Sequence, residues 1–346
     1  MRVVIQSAVM LATGVWAVGC ATILPGGGVA PPPVPLAPSY SESVALVLQR
    51  QLADDSLAVP SGRSILMTHG DRTPRVYVLL HGFSDAPTQF ETVGGRLFAD
   101  GDNVYIPRLP HHAERVAPLR ALARVRSDEL ASFGDSTVNI ARGLGDTVVV
   151  MGLSAGGVIA GWMAQSHASV HRAVLIAPAI APGTVTDDQG AAIVILASKL
   201  PDVERAARPD TARPENVRGV TTRGLGELLW LGRRVYDAAD GSPSATRNIV
   251  FLLNERDHTV SESASIDLAQ RWFDRGAAVS IYRFGAAANL PHNVMEVTAQ
   301  GGNVELVYPV VEALARATTP PTTVQLLDVP CRGFWCNLRR RAKSPA

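Results

Sequence analysis

A glycine-rich segment contains the residue with the clearest chemical potential in this chain. The segment Gly152–Gly157 has Ser154 at its third position and fits the pattern G-x-S-x-G, which holds a serine on a sharp turn between a strand and a helix. Glycines beside the serine leave room for the backbone to approach neighbouring elements closely. A serine hydroxyl is a weak nucleophile until a base takes its proton. The segment therefore predicts a nucleophile that needs a base nearby.

A glycine-rich turn could instead cradle a phosphate. That alternative calls for a dinucleotide fingerprint or a Walker lysine, and this segment has neither. An apolar run, Thr147–Met151, precedes the glycines, and Val158, Ile159, Trp162 and Met163 follow them at helical spacing. A strand before the turn and a helix after it favour the nucleophile.

Three further segments follow predicted strands and contain groups that could complete the site. They are His81–Asp85, Asn254–Asp257 and Leu290–Asn293. An open α/β sheet places its ligand crevice at the carboxyl ends of its strands. We therefore expect these segments to lie beside Ser154, and backbone N–H groups in the first of them could face a developing oxyanion.

The elements that must position these residues alternate along the chain. Short continuous apolar runs, typical of strands buried on both faces, are separated by stretches of helical length. The runs are Val76–Leu80, Asn103–Ile106, Thr147–Met151, Ala173–Ile176, Asn248–Leu253 and Val279–Tyr282, with a short one at Ser64–Met67. This alternation predicts an α/β fold with a mostly parallel central sheet flanked by helices.

One long interval, residues 183–245, lacks a strand pattern and contains two apolar helix-like pieces. A long excursion between core strands is usually functional, so we predict a helical cap there. The predicted core comprises residues 41–182 and 246–320. Leu225 and Leu229 lie on one apolar face of the second cap piece. Such a face usually packs internally, but we include both leucines as candidate substrate contacts.

The chain from about Arg75 to Ala315 resembles the α/β-hydrolase superfamily, in the branch of bacterial carboxylesterases and monoacylglycerol lipases with a helical cap. The chain order Ser154, Asp257, His292 is the order of that fold. The segments that carry the resemblance are Val78–Ser84, Val104–Pro110, Gly152–Gly157, Asn254–Asp257 and Pro291–Asn293.

The resemblance implies roles for individual residues. Ser154 would be the nucleophile, His292 the general base and then acid, and Asp257 the carboxylate that orients His292. The backbone N–H groups of Phe83 and Ala155 would form the oxyanion hole. No metal or other cofactor is expected.

Other residues compete for these roles. His81, beside Gly82, suits a structural role in the oxyanion loop better than that of base. His258 fits loop surface, and Asp237 and Asp240 lie in the predicted cap, the wrong topological place for the triad acid. His111 and His112 stand where relatives tend to have Gly-His-Gly; we expect a solvated loop there, with substrate contact as the alternative.

An apolar cap favours acyl chains, so the expected substrates are short to medium acyl esters or monoacylglycerols. The same triad could serve a peptidase, a thioesterase or a lactonase, because a fold does not determine its substrate. A non-catalytic ligand-binding lipoprotein is the alternative from another class. Lys+Arg 32 against Asp+Glu 31 gives a net charge of +1, so we expect no nucleic-acid partner.

The first residues predict export. Arg2 precedes an apolar stretch to Gly19, typical of a signal peptide over residues 1–19, although about 20 apolar residues could also anchor a chain in a bilayer. Ala17–Cys20 resembles a bacterial lipobox, with Ala17 in place of the usual Leu. The resemblance implies lipid on Cys20, a Pro- and Gly-rich tether over residues 20–40, and a protein held to a membrane surface of the bacterial cell envelope.

The chain ends in a predicted tail, residues 321–346. Cys331 and Cys336 lie five positions apart within it. An exported protein meets an oxidising compartment, where these two thiols could form a disulfide.

Overall fold

The computed structural model describes residues 36–183, 202–206, 219–295 and 302–330. The predictions for residues 1–19, for Cys20, for the cap piece at residues 191–200 and for a bridge between Cys331 and Cys336 lie outside the described residues. Among the helices within these ranges, none is long and apolar enough to cross a bilayer.

An eight-stranded sheet forms the centre of the fold, in the order β1-β3-β2-β4-β5-β8-β9-β10. Its six inner strands are mutually parallel, and the edge strands β1 and β10 run antiparallel to their neighbours. The strands are β1 (Ile65–Met67), β2 (Thr73–Leu80), β3 (Asn103–Ile106), β4 (Gly145–Leu153), β5 (Val170–Ile176), β8 (Asn248–Asn254), β9 (Ala278–Phe284) and β10 (Val324–Leu327). The predicted fold class is confirmed.

Eight α-helices are described. They are α1 (Tyr40–Leu57), α2 (Glu91–Ala99), α3 (Pro118–Leu122), α4 (Ser127–Leu144), α5 (Ala155–Ser166), α6 (Thr222–Gly241), α7 (Glu262–Asp274) and α8 (Val304–Arg316). Polar caps fix several starts: the side chains of Ser39, Thr221, Ser261 and Asn303 each accept a hydrogen bond from a backbone N–H in the first turn, which satisfies a donor that the helix itself cannot.

Burial explains why the inner strands read as continuous apolar runs. Residues Val76–Leu80 of β2 and Val148–Leu153 of β4 are buried without alternation, because helices cover both faces of a parallel sheet. The outer strand β10 lies within the predicted tail, which is a correction. This strand is short and its residues are largely exposed, so its sequence lacks the continuous apolar run that identifies the inner strands.

The interval predicted as a helical cap contains elements of two kinds. A small antiparallel ribbon pairs β6 (Glu204–Ala206) with β7 (Gly219–Thr221), where no strand was predicted. Helix α6 packs against α4, α5 and α7, and its Leu228, Leu231 and Val235 belong to the main hydrophobic core. Helix α6 is therefore part of the helical layer on the sheet. The predicted cap wrongly included this helix, and the prediction now applies only to residues before Thr222.

Candidate active site

Ser154 occupies the turn between β4 and α5. Its backbone has φ 54° and ψ −107°, a conformation that is costly for a residue with a side chain and persists when its surroundings hold it. The Ser154 N–H donates to the carbonyl of Ile176 at 2.9 Å, and the Ser154 carbonyl accepts from the N–H groups of Val158 and Ala179, both at 3.1 Å. These three bonds hold the strained turn.

The glycines on either side of Ser154 are required by close backbone contact. A Cβ at Gly156 would overlap the Leu80 carbonyl at the end of β2, and a Cβ at Gly152 would overlap the backbone of Gly156. The pattern G-x-S-x-G is thus explained by the space available at this turn.

His292 lies between Ser154 and Asp257. Its Nε2 is 3.0 Å from Ser154 Oγ, and its Nδ1 is 2.6 Å from Asp257 Oδ2. A carboxylate accepts hydrogen bonds, so Nδ1 carries the ring proton and its N–H donates a hydrogen bond to Asp257. The Nε2 is then free to accept the hydroxyl proton of Ser154, and the structure brings the three predicted residues into one hydrogen-bonded chain.

Hydrogen bonds from neighbouring groups hold Asp257 and the loop that carries His292 in place. Asp257 Oδ1 accepts from the backbone N–H groups of Thr259, at 2.8 Å, and Val260, at 3.3 Å, so each carboxylate oxygen has a separate partner. The amide of Asn254, the last residue of β8, donates to the carbonyl of Leu290 at 2.9 Å and so attaches the loop that carries His292 to the sheet. His258 is exposed, as predicted for loop surface.

His81 has a structural position. It is fully buried; its Nε2 accepts from the Leu109 N–H at 3.1 Å, and its Nδ1 donates to the Gly82 carbonyl at 2.9 Å. Burial holds the pKa of His81 well below its ordinary value, so the ring stays neutral. The rival acids also lie elsewhere: Asp237 and Asp240 pair with arginines on α6 and α7.

Two backbone donors lie on either side of the turn. Ala155 is the first residue of α5, so its N–H has no acceptor within the helix. Phe83 lies in a turn that the Asp85 N–H closes on the Gly82 carbonyl at 3.2 Å, with Ser84 at φ 62°. Within the part of the chain that the structure describes, neither the Phe83 nor the Ala155 N–H donates to another protein atom.

His112 corrects the expectation of a solvated loop. It is 1% exposed, and its ring packs edge-on against the rings of Phe83 and His81, with centroids 5.1 and 5.3 Å away. Its Nδ1 donates to the Pro110 carbonyl at 2.8 Å, and burial lowers its pKa to about 4. His111 is partly exposed and binds Glu114 and Glu129.

The two predicted substrate-contact leucines lie near the start of α6. Leu229 is 3% exposed and Leu225 packs partly buried against the core. A Cβ at Gly224 would lie 3.0 Å from Phe83 Cζ, so the start of this helix adjoins the loop of Phe83. Contact of either leucine with a substrate stays a prediction.

Gln89 joins the site without having been predicted. It is 4% exposed, and its side chain bonds to the Gly82 backbone, to Asp85 and to Asn293. No short motif marks an isolated glutamine, and its role depends on loops that are far apart in the sequence. Among the described residues, no group of three His, Cys, Asp or Glu could hold a metal ion.

Comparison with known proteins agrees with this architecture. A family model described as the alpha/beta hydrolase family matches residues 77–302, and this chain belongs to that family. No curated protein matches the sequence.

Three solved structures illustrate the similarity of fold. One, from work on the metagenome-derived lipolytic enzymes LipS and LipT, has a TM-score of 0.57 at 15% identity, covering 75% of this chain and 99% of its own. The monoacylglycerol lipase of Paleococcus ferrophilus gives 0.56 at 15% identity, with 74% and 98% covered. A soluble variant of the monoglyceride lipase of Saccharomyces cerevisiae gives 0.55 at 14% identity, with 74% and 92% covered. At these identities the similarity concerns the fold.

Proposed function

We propose that this protein is a serine hydrolase that cleaves carboxylic esters through an acyl-enzyme on Ser154. The observation that carries the proposal is the hydrogen-bonded chain from Ser154 Oγ through the imidazole of His292 to Asp257, with distances of 3.0 and 2.6 Å. A base in contact with the hydroxyl and a carboxylate in contact with the base are the arrangement that activates a serine.

The reaction begins when Ser154 Oγ attacks the ester carbonyl and its proton passes to His292 Nε2. The carbonyl oxygen becomes an oxyanion, and Asp257 stabilises the imidazolium that has formed. When the tetrahedral intermediate collapses, the bond to the alcohol oxygen breaks and His292 returns the proton to that oxygen. Water then repeats the sequence: His292 takes a proton from water, the hydroxide attacks the acyl carbon, and Ser154 recovers its proton as the acid leaves.

The Phe83 and Ala155 N–H groups would stabilise the oxyanion. Both lie on segments adjoining the nucleophile, and neither has a protein acceptor in the described residues. Donors already oriented toward the developing charge stabilise the transition state without reorganising, and loss of one such donor in a comparable enzyme costs about 10²–10³ in kcat.

The substrates that we propose are short to medium acyl esters or monoacylglycerols. Support comes from the start of α6, where Gly224 adjoins Phe83 and two apolar side chains follow, Leu225 partly buried against the core and Leu229 buried. An apolar lining favours acyl chains over charged acyl groups.

A labelling experiment tests the proposed chemistry. Wild-type protein should take up a fluorophosphonate probe and hydrolyse p-nitrophenyl esters, and Ser154→Ala should lose both. A panel from acetyl to palmitoyl esters, with monoacylglycerols and an aminoacyl amide beside it, defines the substrate. Turnover of the amide alone would contradict ester specificity, and a wild-type protein without label would refute the enzyme assignment.

We further propose that the protein is exported and held to the bacterial cell envelope by lipid on Cys20. The support is the apolar stretch after Arg2 and the lipobox-like residues Ala17–Cys20; buried acyl methylenes contribute about 0.8 kcal/mol each to membrane binding. Mass spectrometry of the mature N-terminus tests this proposal, and an intact N-terminus with unmodified Cys20 would refute it.

A further inference from the structure

Gln89 uses its whole side-chain amide in bonds that join three segments. Its Oε1 accepts from the Gly82 N–H at 2.8 Å, and its Nε2 donates to Asp85 Oδ2 at 2.7 Å and to Asn293 Oδ1 at 3.0 Å. An amide has two N–H donors, and both are used here. With 4% exposure, water cannot easily replace these partners.

The Gly82 backbone is therefore held on both sides. Gln89 holds its N–H, while the His81 ring and the Asp85 N–H hold its carbonyl. That carbonyl shares a planar peptide group with the Phe83 N–H, so its two bonds set the direction of the Phe83 N–H, and the bond from Gln89 holds the preceding peptide group, which contains the Gly82 N–H. Gln89 also bonds to Asn293, so it links the Gly82 backbone to the loop that carries His292.

The other end of the network adjoins the base. Asn293 directly follows His292, and its side chain bonds to both Gln89 and Asp85, the latter at 3.2 Å. Asp85 in turn accepts from the Ala86 N–H at 2.9 Å. Loss of Gln89 would leave Asp85 and Asn293 bonded to each other, and would remove the link from both to the Gly82 backbone.

We propose that Gln89 is a positioning residue that fixes the Phe83 oxyanion donor relative to His292. This inference rests on the proposed function, because it concerns the donor that stabilises the oxyanion of ester hydrolysis. A donor held in place before reaction lowers the barrier for charge development and affects substrate binding much less. Loss of the Gln89 side chain is therefore expected to lower kcat and to leave KM nearly unchanged.

A second buried glutamine offers a matched control. Gln165, at the far end of α5 from Ser154, is 8% exposed. Its Oε1 accepts from Trp272 Nε1 at 2.6 Å, and its Nε2 lies 3.2 Å from Ser242 Oγ and 3.3 Å from the Pro243 carbonyl. Removing the Gln89 amide takes the acceptor from the buried Gly82 N–H, and removing the Gln165 amide takes the acceptor from Trp272 Nε1. Both losses cost stability, and only the Gln89 network touches the proposed site.

The experiment compares Gln89→Leu with Gln165→Leu in the full chain. Turnover of p-nitrophenyl butyrate, inhibition by phenylboronic acid and thermal unfolding are measured for both. Because loss of an entire donor costs about 10²–10³ in rate, we expect displacement of one to lower kcat at least about tenfold for Gln89→Leu, with KM within about twofold. The inhibition constant of the boronic acid should rise by a similar factor, since its tetrahedral adduct on Ser154 uses the same donors. Gln165→Leu should lose similar stability with kcat within about twofold of wild type.

Gln89→Glu keeps the test decisive if the leucine variant does not fold. Its carboxyl group retains an oxygen for the Gly82 N–H, and in protonated form it can still donate to Asp85. Ionisation then places two negative charges side by side, so the ratio of variant to wild-type kcat should fall as pH rises. A structural role alone predicts a ratio that does not change with pH.

Two outcomes separate failure of this inference from failure of the proposed function. Equal losses of kcat in Gln89→Leu and Gln165→Leu, or a pH-independent ratio for Gln89→Glu, would refute the positioning role while leaving ester hydrolysis intact. Wild-type protein without turnover dependent on Ser154 would refute the proposed function and this inference with it.

Discussion

Acidification should destabilise the folded protein through His112. The ring is 1% exposed and its Nδ1 donates to the Pro110 carbonyl. Burial disfavours the charged imidazolium and lowers the pKa of His112 from its ordinary value of 6.5 to about 4. The unfolded chain therefore takes up a proton at a pH where the folded protein does not, and the free energy of unfolding must fall as pH decreases through this window.

The magnitude follows from the two pKa values. Above pH 6.5 the ring is neutral in both states and its contribution to stability is fully present. Each unit of difference corresponds to about 1.4 kcal/mol, so the loss attributable to His112 reaches about 2 kcal/mol at pH 5 and about 3 kcal/mol below pH 4. His81, also buried and with a lowered pKa, shifts stability in the same direction.

The comparison of wild type with His112→Asn isolates this contribution. Asparagine keeps an N–H that can reach the Pro110 carbonyl, but it does not titrate. Urea unfolding at pH 7.5 and pH 5 gives the change in stability for each protein, and the carboxylates and His81 contribute to both. The wild type should lose about 2 kcal/mol more than the variant. Equal losses would show that the His112 ring is not held neutral, and the reasoning from its burial would be wrong.

Four other substitutions test three separate features. Gly156→Ala should lower the free energy of unfolding by ~3 kcal/mol or more and abolish turnover, because its Cβ would overlap a backbone carbonyl. As a control, Gly95→Ala in α2, where a Cβ meets nothing within 4 Å, should raise the free energy of unfolding in denaturant by ~0.5–1 kcal/mol. Asp257→Asn should lower kcat by about 10⁴, the loss seen in a comparable triad, with unchanged thermal stability; a loss under tenfold would contradict its assigned role. Arg108→Met should cost about 3–5 kcal/mol, since it leaves buried Asp54 without the ion pair seen at 2.7 Å; a loss below about 1 kcal/mol would show that the pair is not desolvated.

The sheet and the turn at Ser154 could be predicted because each depends on local pattern. Continuous apolar runs identify strands buried on both faces, and Ser154 stands between glycines whose need is local and steric. Asp257 and His292 follow strands, so the edge of the sheet that they share was also predictable.

Helix α6 and the environment of His112 were not predictable in the same way. Leu228, Leu231 and Val235 form an apolar stripe that would suit either a cap or the layer on the sheet, and only tertiary packing against α4 and α5 distinguishes them. His112 stands in a polar, histidine-rich stretch that is typical of solvated loops, yet it is enclosed by Phe83 and His81. Both depend on contacts between segments far apart in sequence.

The position of His292 depends on two polar anchors on opposite sides of its loop. From the sheet, the Asn254 amide donates to the carbonyls of Leu290 at 2.9 Å and Pro291 at 3.2 Å. From the short helical turn Pro87–Phe90, Gln89 Nε2 donates to Asn293 Oδ1 at 3.0 Å. Residues on both sides of the histidine are thus held by side chains from different elements. These anchors hold the imidazole with its Nε2 3.0 Å from Ser154 Oγ, a distance within the hydrogen-bond reach that proton transfer from the hydroxyl requires.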